Sequence, residues 1–437
     1  MTRRRSLPIA PPGPPAVRNR PLEVRARAAD AVRPTYAVWE ITLKCDLACR
    51  HCGSRAGHAR PDELSRAEAL DLAHQIADLG LDSITLIGGE AYLREDWLEI
   101  AATLIERGVE TSVTTGGRGI DRARAEAMAE VGISTVSVSV DGLQATHDHL
   151  RAVRGSHAAA LGALEALGRA GVPVSVNTQI CATNLREVES LFDVIAPLGV
   201  HSWQVQLTVA MGRAADDPDL LLQPWQMLEV MPMVARMQQR CDQAGVIFWP
   251  GTNIGYFGPY ESLLRRDEQG MHTAACGAGR DTLGIEANGD IKGCPSLPTA
   301  AYTGGNIRDH ALLDIWERSS ALRFTRERPV TELWGYCGTC YYKQECMSGC
   351  TWTGHVLTGK RGNNPYCHHR ALELLREGDR ERLVPKTAAP NEPFDHATFE
   401  IVREPWPNGM LRDAKALAKA QPGDAARWIR SRSEPTD

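Results

Sequence analysis

From Tyr36 to about Pro250 the chain alternates between short β-branched runs and longer amphipathic stretches, and this alternation constrains its fold more than any other feature. The strand-like runs are 37–43, 83–87, 111–115, 135–140, 172–180 and 203–207. Segments rich in Ala, Leu and Glu at 65–79, 95–107, 121–130, 157–169 and 185–196 separate them. A crossover helix between successive strands makes those strands parallel and the crossover right-handed, so the expected class is α/β with a parallel sheet. Periodicity alone leaves open whether the sheet is open or barrel-shaped. Ser65 followed by Glu68 is a capping box that should start the first crossover helix.

Directly after the first strand run comes Cys45-Asp-Leu-Ala-Cys49-Arg-His-Cys52. Three thiolates at x3 then x2 spacing can wrap one face of a 4Fe–4S cluster, because cluster irons take tetrahedral sulfur ligands. With no fourth cysteine in the loop, one iron keeps an open position for a substrate or cofactor. Closed metal sites are structural and open ones do chemistry.

The chain has twelve cysteines in 437 residues, and no apolar h-region follows Arg3-Arg4-Arg5. Such cysteines read as metal ligands or catalytic thiols in a reducing, cytoplasmic setting rather than as disulfides. Cys181 and Cys241 stand apart and are expected to be small buried apolar residues. The net charge of −5 gives no whole-chain reason to bind nucleic acid. No apolar run approaches the roughly 20 residues of a membrane span.

Seven further cysteines crowd the second half as Cys276-x12-Gly289-x4-Cys294, Cys337-x2-Cys340-x5-Cys346-x3-Cys350 and Cys367. The region 270–370 has few long helices and should need metal clips to hold it. Zinc knuckles are the other reading of x2 cysteine pairs. The expected division is a disordered Pro- and Arg-rich arm at 1–34, a barrel domain at 35–250, a linker at 251–269, the cysteine-rich module at 270–370, and a helix and tail at 371–437. In that last part we expect a charged helix, a Pro-rich linker, and short helices at 413–420 and 424–430.

The segment Trp39-Glu-Ile-Thr-Leu-Lys-Cys-Asp-Leu-Ala-Cys-Arg-His-Cys52 resembles the cluster-binding loop of radical S-adenosylmethionine (SAM) enzymes, with His51 at a position usually aromatic in that family. The resemblance implies a partial (β/α)6 TIM-like barrel, which agrees with six strand runs. It extends to Ile87-Gly88-Gly89-Glu90, a motif that in the family binds the methionine amino group of SAM. Two glycines at a strand end also allow close approach of another molecule to the backbone. Ala91 stands where the family usually has Pro. Ser137-Val-Ser-Val-Asp141-Gly with His147, Arg151 and Arg154 resembles the family's fourth strand and following loop. Ser139 is then a contact to the ribose or carboxylate of SAM, and Arg151 or Arg154 a partner of the carboxylate. Asn177 and Gln179, with Gln204 or Gln206, are expected to point into the barrel.

The later cysteines resemble the seven-cysteine SPASM extension. By that resemblance Cys337, Cys340, Cys346 and Cys367 hold one auxiliary 4Fe–4S cluster, and Cys276, Cys294 and Cys350 give three ligands to another. Asp281 and Thr282 occupy the neighbourhood where some relatives supply a further cysteine. Pro295 follows Cys294 where anaerobic sulfatase maturases carry an Asp, which argues against formylglycine formation. The implied cofactors are three 4Fe–4S clusters and SAM, with a flavodoxin or ferredoxin as reductant. The favoured substrate is a ribosomally made precursor peptide, presented with or without a separate recognition protein. Oxidation or decarboxylation of a sugar or tetrapyrrole, and a non-enzymatic electron-transfer role, are the alternatives.

Overall fold

The computed structural model describes residues 32–254, 258–265 and 276–419. Most of the expected arm, part of the linker and the short helix expected at 424–430 lie outside the described residues.

All six expected strands form: β1 (Tyr36–Glu40), β2 (Ser83–Ile87), β3 (Glu110–Thr115), β4 (Val136–Ser139), β5 (Val174–Ile180) and β6 (Ser202–Leu207). They pair in parallel and in chain order. The intervening helices are α1 (Arg66–Leu79), α2 (Trp97–Glu106), α3 (Arg122–Val131), α4 (Gln144–Arg151), α5 (Ser156–Arg169), α6 (Val188–Ile195) and, after β6, α7 (Met227–Ala244). Ser65 and Glu68 make both bonds of the expected capping box at the start of α1, and Gly80 ends that helix in a left-handed conformation.

Alternation along the strands divides the sheet into two faces. Ala37, Trp39, Ile84, Leu86, Val113, Val136, Val138, Val176 and Trp203 pack with the helices in one apolar core. Trp203 alone stacks on Phe192, meets Phe248 edge-on and donates its Nε1 to Thr178 Oγ1 at 2.9 Å. Cutting it to Ala would cost about 3–5 kcal/mol. The opposite face is polar.

A seventh strand, β7 (Ile247–Pro250), follows β6 in parallel at one end of the sheet order. Its four residues end in proline, which an edge strand tolerates because no further ladder bond is needed there. That brevity hid it in the sequence. At the other side, β8 (Thr282–Ile285) pairs in parallel with β1, followed by antiparallel β9 (Asp290–Lys292) and β10 (Thr303–Asn306). Strands of the cysteine-rich region thus continue the same sheet as the barrel strands.

The helix His368–Glu377 is followed by an antiparallel hairpin, β11 (Asp379–Thr387) and β12 (Thr398–Pro405), where a Pro-rich linker was expected. Leu383 and Phe399 are buried, and Arg380 pairs with Glu404 across the strands at 2.7 Å. Pro385 sits at a register shift, which explains how a proline enters the ladder. A helix at Asn408–Lys419 covers the region of the expected 413–420 helix. Among the described residues no helix is long and apolar enough to cross a membrane.

Candidate active site and cysteine groups

The Cys45–Cys52 loop leaves the C-terminal end of β1 and is closed at its base by two backbone bonds, Cys45 N–H to Gly57 O at 3.0 Å and Gly57 N–H to Leu43 O at 2.8 Å. The sulfurs face donors: Leu47 N–H lies 3.4 Å from Cys45 Sγ, and Ala56 N–H lies 3.4 Å from Cys52 Sγ. Arg151 Nη1 lies 3.6 Å from Cys49 Sγ. Donors aimed at sulfur suit thiolates bound to metal, whereas burial pushes the free Cys45 thiol up to about 12. Every cysteine in the chain is unpaired by disulfide. The donor set therefore fits an iron–sulfur cluster with one open iron.

Gly88 and Gly89 follow β2, and a Cβ on Gly89 would lie 2.2 Å from Lys44 O. Gly89 N–H donates to Thr42 O at 2.7 Å and Glu90 N–H to Lys44 O at 2.8 Å. These glycines permit a close approach of the chain's own segment at Thr42 and Lys44, where the cysteine loop begins. Glu90 is buried, accepts from Gly116 N–H at 2.7 Å and from Thr115 Oγ1, and has a ligand atom within 4.8 Å of those of Cys45 and Asp46. Burial pushes its carboxyl up to about 7 despite the Thr115 and Gly116 bonds. A cationic group bound there would restore the charged form.

At the end of β4, Asp141 is fully buried. Its Oδ1 accepts from Gln179 N–H at 2.8 Å, and its Oδ2 lies 3.1 Å from His51 Nε2 and forms an ion pair with Arg151. Burial acts to raise its pKa, but Arg151 and His51 outweigh this and hold it well below the carboxylate range. Two loop amides, Arg50 N–H and Ala48 N–H, donate to Leu150 O and Arg151 O at the end of α4. Arg151 is thus drawn to the loop and engaged by Asp141, while Arg154 is exposed. Ser139 is buried in register with half-buried Asn177.

The polar face of the sheet bears Thr85, Ser112, Asn177, Gln179, Gln204 and Gln206, in register as Asn177↔Gln204 and Gln179↔Gln206. Hydrogen bonds from Tyr36 to Thr85 and from Thr85 to Ser112 mark it as one surface. Among the described residues of β1–β6, its alternate positions carry no Lys or Arg.

Of the seven later cysteines, Cys294 lies near Cys276 and Cys350, and Cys346 near Cys337, Cys340 and Cys367. Cys276 and Cys294 flank β8 and β9 and pack against Ala278, Leu297, Tyr302 and Phe324, and Thr351 Oγ1 donates to Cys276 Sγ at 3.4 Å. Burial pushes Cys294 up to about 12, and neighbouring Cys276 and Cys350 add to it. Cys346 is raised by burial and by Cys367, Cys337 and Cys340. Between Cys346 and Cys350, Met347, Ser348 and Gly349 are all left-handed, with φ of 48°, 66° and 64°. Asp281 is engaged by Arg280 and Thr282. Cys181 and Cys241 are buried among apolar neighbours, as expected.

Sequence reasoning missed two further groups. Glu40, Glu286 and Lys292 are buried ionisable residues, and Lys292 Nζ lies 2.7 Å from Glu286 Oε1 and from Leu297 O. Charged residues inside β-branched runs were the available signal. The second is a loop clamp: Arg55 Nε donates to Asp395 Oδ1 at 2.8 Å, Arg213 Nε to Cys49 O at 2.6 Å, and Gly212 N–H to Asp395 O at 2.9 Å. The β11–β12 connection thereby rests on the cysteine loop, a long-range contact with no local trace.

Residues 39–195 match the model of the radical SAM superfamily, and residues 276–341 match that of the iron–sulfur cluster-binding SPASM domain. The chain is 28% identical over 344 residues to the AdoMet-dependent heme synthase of Methanosarcina barkeri, covering 77% of this chain and 97% of that protein. It is 28% identical over 396 residues to the mycofactocin maturase MftC of Mycobacterium tuberculosis, covering 88% of this chain and 94% of MftC. Streptococcus suis SuiB bound to its precursor peptide SuiA shares the fold, with a TM-score of 0.59, 17% identity and coverage of 74% and 72% of the two chains.

Proposed function

We propose, from the premise that this chain belongs to the radical SAM superfamily and carries a SPASM domain, that it oxidatively modifies a ribosomally made precursor peptide, crosslinking being the leading case. In this proposal Cys45, Cys49 and Cys52 hold the cluster with the open iron. Cys337, Cys340, Cys346 and Cys367 hold a second, and Cys276, Cys294 and Cys350 a third. When bound, the first cluster supplies the electron that cleaves SAM to methionine and a 5′-deoxyadenosyl radical, and the other two offer electron acceptors.

The chain's own groups then do the positioning. Glu90 takes the SAM ammonium while its bonds to Thr115 and Gly116 fix its orientation. Ser139 and Asn177 line the side on which the ribose would lie, and the polar face holds the substrate away from bulk water. A flavodoxin or ferredoxin supplies electrons, and a separate recognition protein is an optional partner.

The observation that carries the peptide reading is the polar strand face, free of Lys and Arg over β1–β6. Paired amides at 177, 179, 204 and 206 offer donors and acceptors matched to peptide groups. A tetrapyrrole polycarboxylate would call for guanidinium or ammonium groups, and the β1–β6 positions of this face offer none. The similarity to MftC also spans more of the chain than that to the heme synthase. That second similarity, over nearly all of the heme synthase, is the reason to test a tetrapyrrole too.

The test is anaerobic reconstitution with reductant and SAM, followed by assay for 5′-deoxyadenosine. Alanine at Cys45, Cys49 and Cys52 together should abolish it while iron bound by the other seven cysteines remains. Co-expression with short open reading frames beside the gene should yield a peptide lighter by two hydrogens. Turnover of an iron porphyrin with every peptide unchanged would replace the peptide reading.

A further inference from the structure

Asp141 is placed by the fold in a position that neither substrate binding nor metal ligation explains. It is fully buried at the end of β4, and each of its oxygens is engaged. Oδ1 is taken by Gln179 N–H at 2.8 Å, so Oδ2 alone faces His51 Nε2 at 3.1 Å and the Arg151 guanidinium. The same guanidinium reaches Cys49 Sγ with its Nη1 at 3.6 Å. His147 Nδ1 accepts from Asp141 N–H at 3.1 Å, and Asn184 Nδ2 donates to Asp141 O at 2.6 Å. The residue is therefore held from three sides, and its one remaining anionic oxygen points at two groups that brace the cysteine loop.

We propose that Asp141 is a positioning residue for the cysteine loop: it holds Arg151 on the Cys49 sulfur, and through that contact sets the reduction potential of the cluster bound there. The inference rests on the reading that Cys45, Cys49 and Cys52 hold a cluster. A cationic donor to a ligating sulfur stabilises the more negative, reduced state, so the contact raises the potential. Asp141 exerts the opposite effect as a bare charge. Its dominant action is to keep an otherwise mobile guanidinium in place, since a buried arginine without a counter-ion would leave for solvent.

The distinction is testable with Asp141→Asn. Because Oδ1 must keep accepting from Gln179, the Asn amide has to put its NH2 toward Arg151, donor against donor. Arg151 is then driven off Cys49. The measurement is an EPR-monitored redox titration of the reconstituted enzyme without SAM, following the signal that later responds to added SAM. Both D141N and Arg151→Met should lower the potential by at least tenfold in the oxidation equilibrium, about 59 mV for one electron. The double variant should fall no further than R151M, and Arg151→Lys should recover part of the loss.

A rise in potential in D141N would mean that Asp141 acts only as a charge. Additive shifts, or potentials unchanged at full iron content, would equally overturn the proposal. If D141N does not retain its iron, the comparison of R151M with R151K decides: equal potentials sink it, and recovery in the lysine variant supports it. A wild-type enzyme with no SAM-responsive cluster would instead refute the underlying assignment of the loop.

Discussion

Replacing Glu40 by Gln should make the protein more stable, and increasingly so as pH rises. Glu40 ends β1, is 3% exposed, and its Oε1 has no hydrogen-bond partner. Burial pushes its carboxyl from the ordinary 4.5 up to about 8, Glu286 adds to this, and Lys292, Ser54 and Arg60 offset it only in part. A carboxyl raised on folding contributes its full stability below the unfolded value, and that contribution is lost as pH rises through the folded one. At about 1.4 kcal/mol per pH unit the whole loss is about 5 kcal/mol, of which about 2 kcal/mol accrues between about pH 6 and pH 8. Negative charge on a bound cluster acts in the same direction. Gln keeps an acceptor for Ser54 and carries no proton to lose. With unfolding entropy near 2.1 cal/mol/K per residue, the melting-temperature gap between E40Q and wild type should widen by about 2–3 °C over that interval. Scanning calorimetry of the cluster-loaded protein at the two pH values reads it directly. A constant or narrowing gap would show that Glu40 is ionised in the native state, and the energetic reasoning would fail.

Gly89→Ala places a methyl group 2.2 Å from Lys44 O, so it should displace the cysteine loop and reduce 5′-deoxyadenosine formation at least tenfold. Gly57→Ala, with nothing within 4 Å, should leave that assay unchanged. Arg370 donates to Asn363 Oδ1 at 2.8 Å, Asn364 O at 3.1 Å and Glu381 at 2.6 Å, all buried. Arg370→Met should therefore cost about 3–5 kcal/mol, because Glu381 is left as an unpaired buried charge. Thermal melting measures that loss, and an iron assay should show the two later cysteine groups depleted before the Cys45 loop.

The strand–helix alternation was legible because it repeats locally: six strands and the Ser65 cap follow from spacing alone. The Cys45 loop was legible from its spacing, whereas the grouping of Cys276 with Cys294 and Cys350 came only from the resemblance to the SPASM extension. Elements whose cause is distant were not legible. β8 joins the sheet through β1, more than two hundred residues earlier, and nothing in Thr282–Ile285 announces that partner. The β11–β12 hairpin hides behind alternating charges that pair only across the strands. Arg151 and Arg154 look alike in sequence, yet α4 ends with Ala152 left-handed, at φ 54°, leaving Arg151 toward the loop and Arg154 exposed. At Gly88 and Gly89 the need for small residues was legible, but not that Thr42 and Lys44 of the chain itself press on them.

The three left-handed residues between Cys346 and Cys350 have a consequence for how the enzyme is matured. The chain visits the second cysteine group at 337, 340 and 346, crosses to the other at 350, and returns at 367. Cys350 is therefore tethered on both sides to cysteines of the other group, on one side through a linker already wound tight. Loading iron into either group fixes the geometry of the other, so maturation of the pair should be cooperative. Delivery of iron and sulfide in limiting amounts should then yield a mixture of full and empty modules, with few half-filled ones.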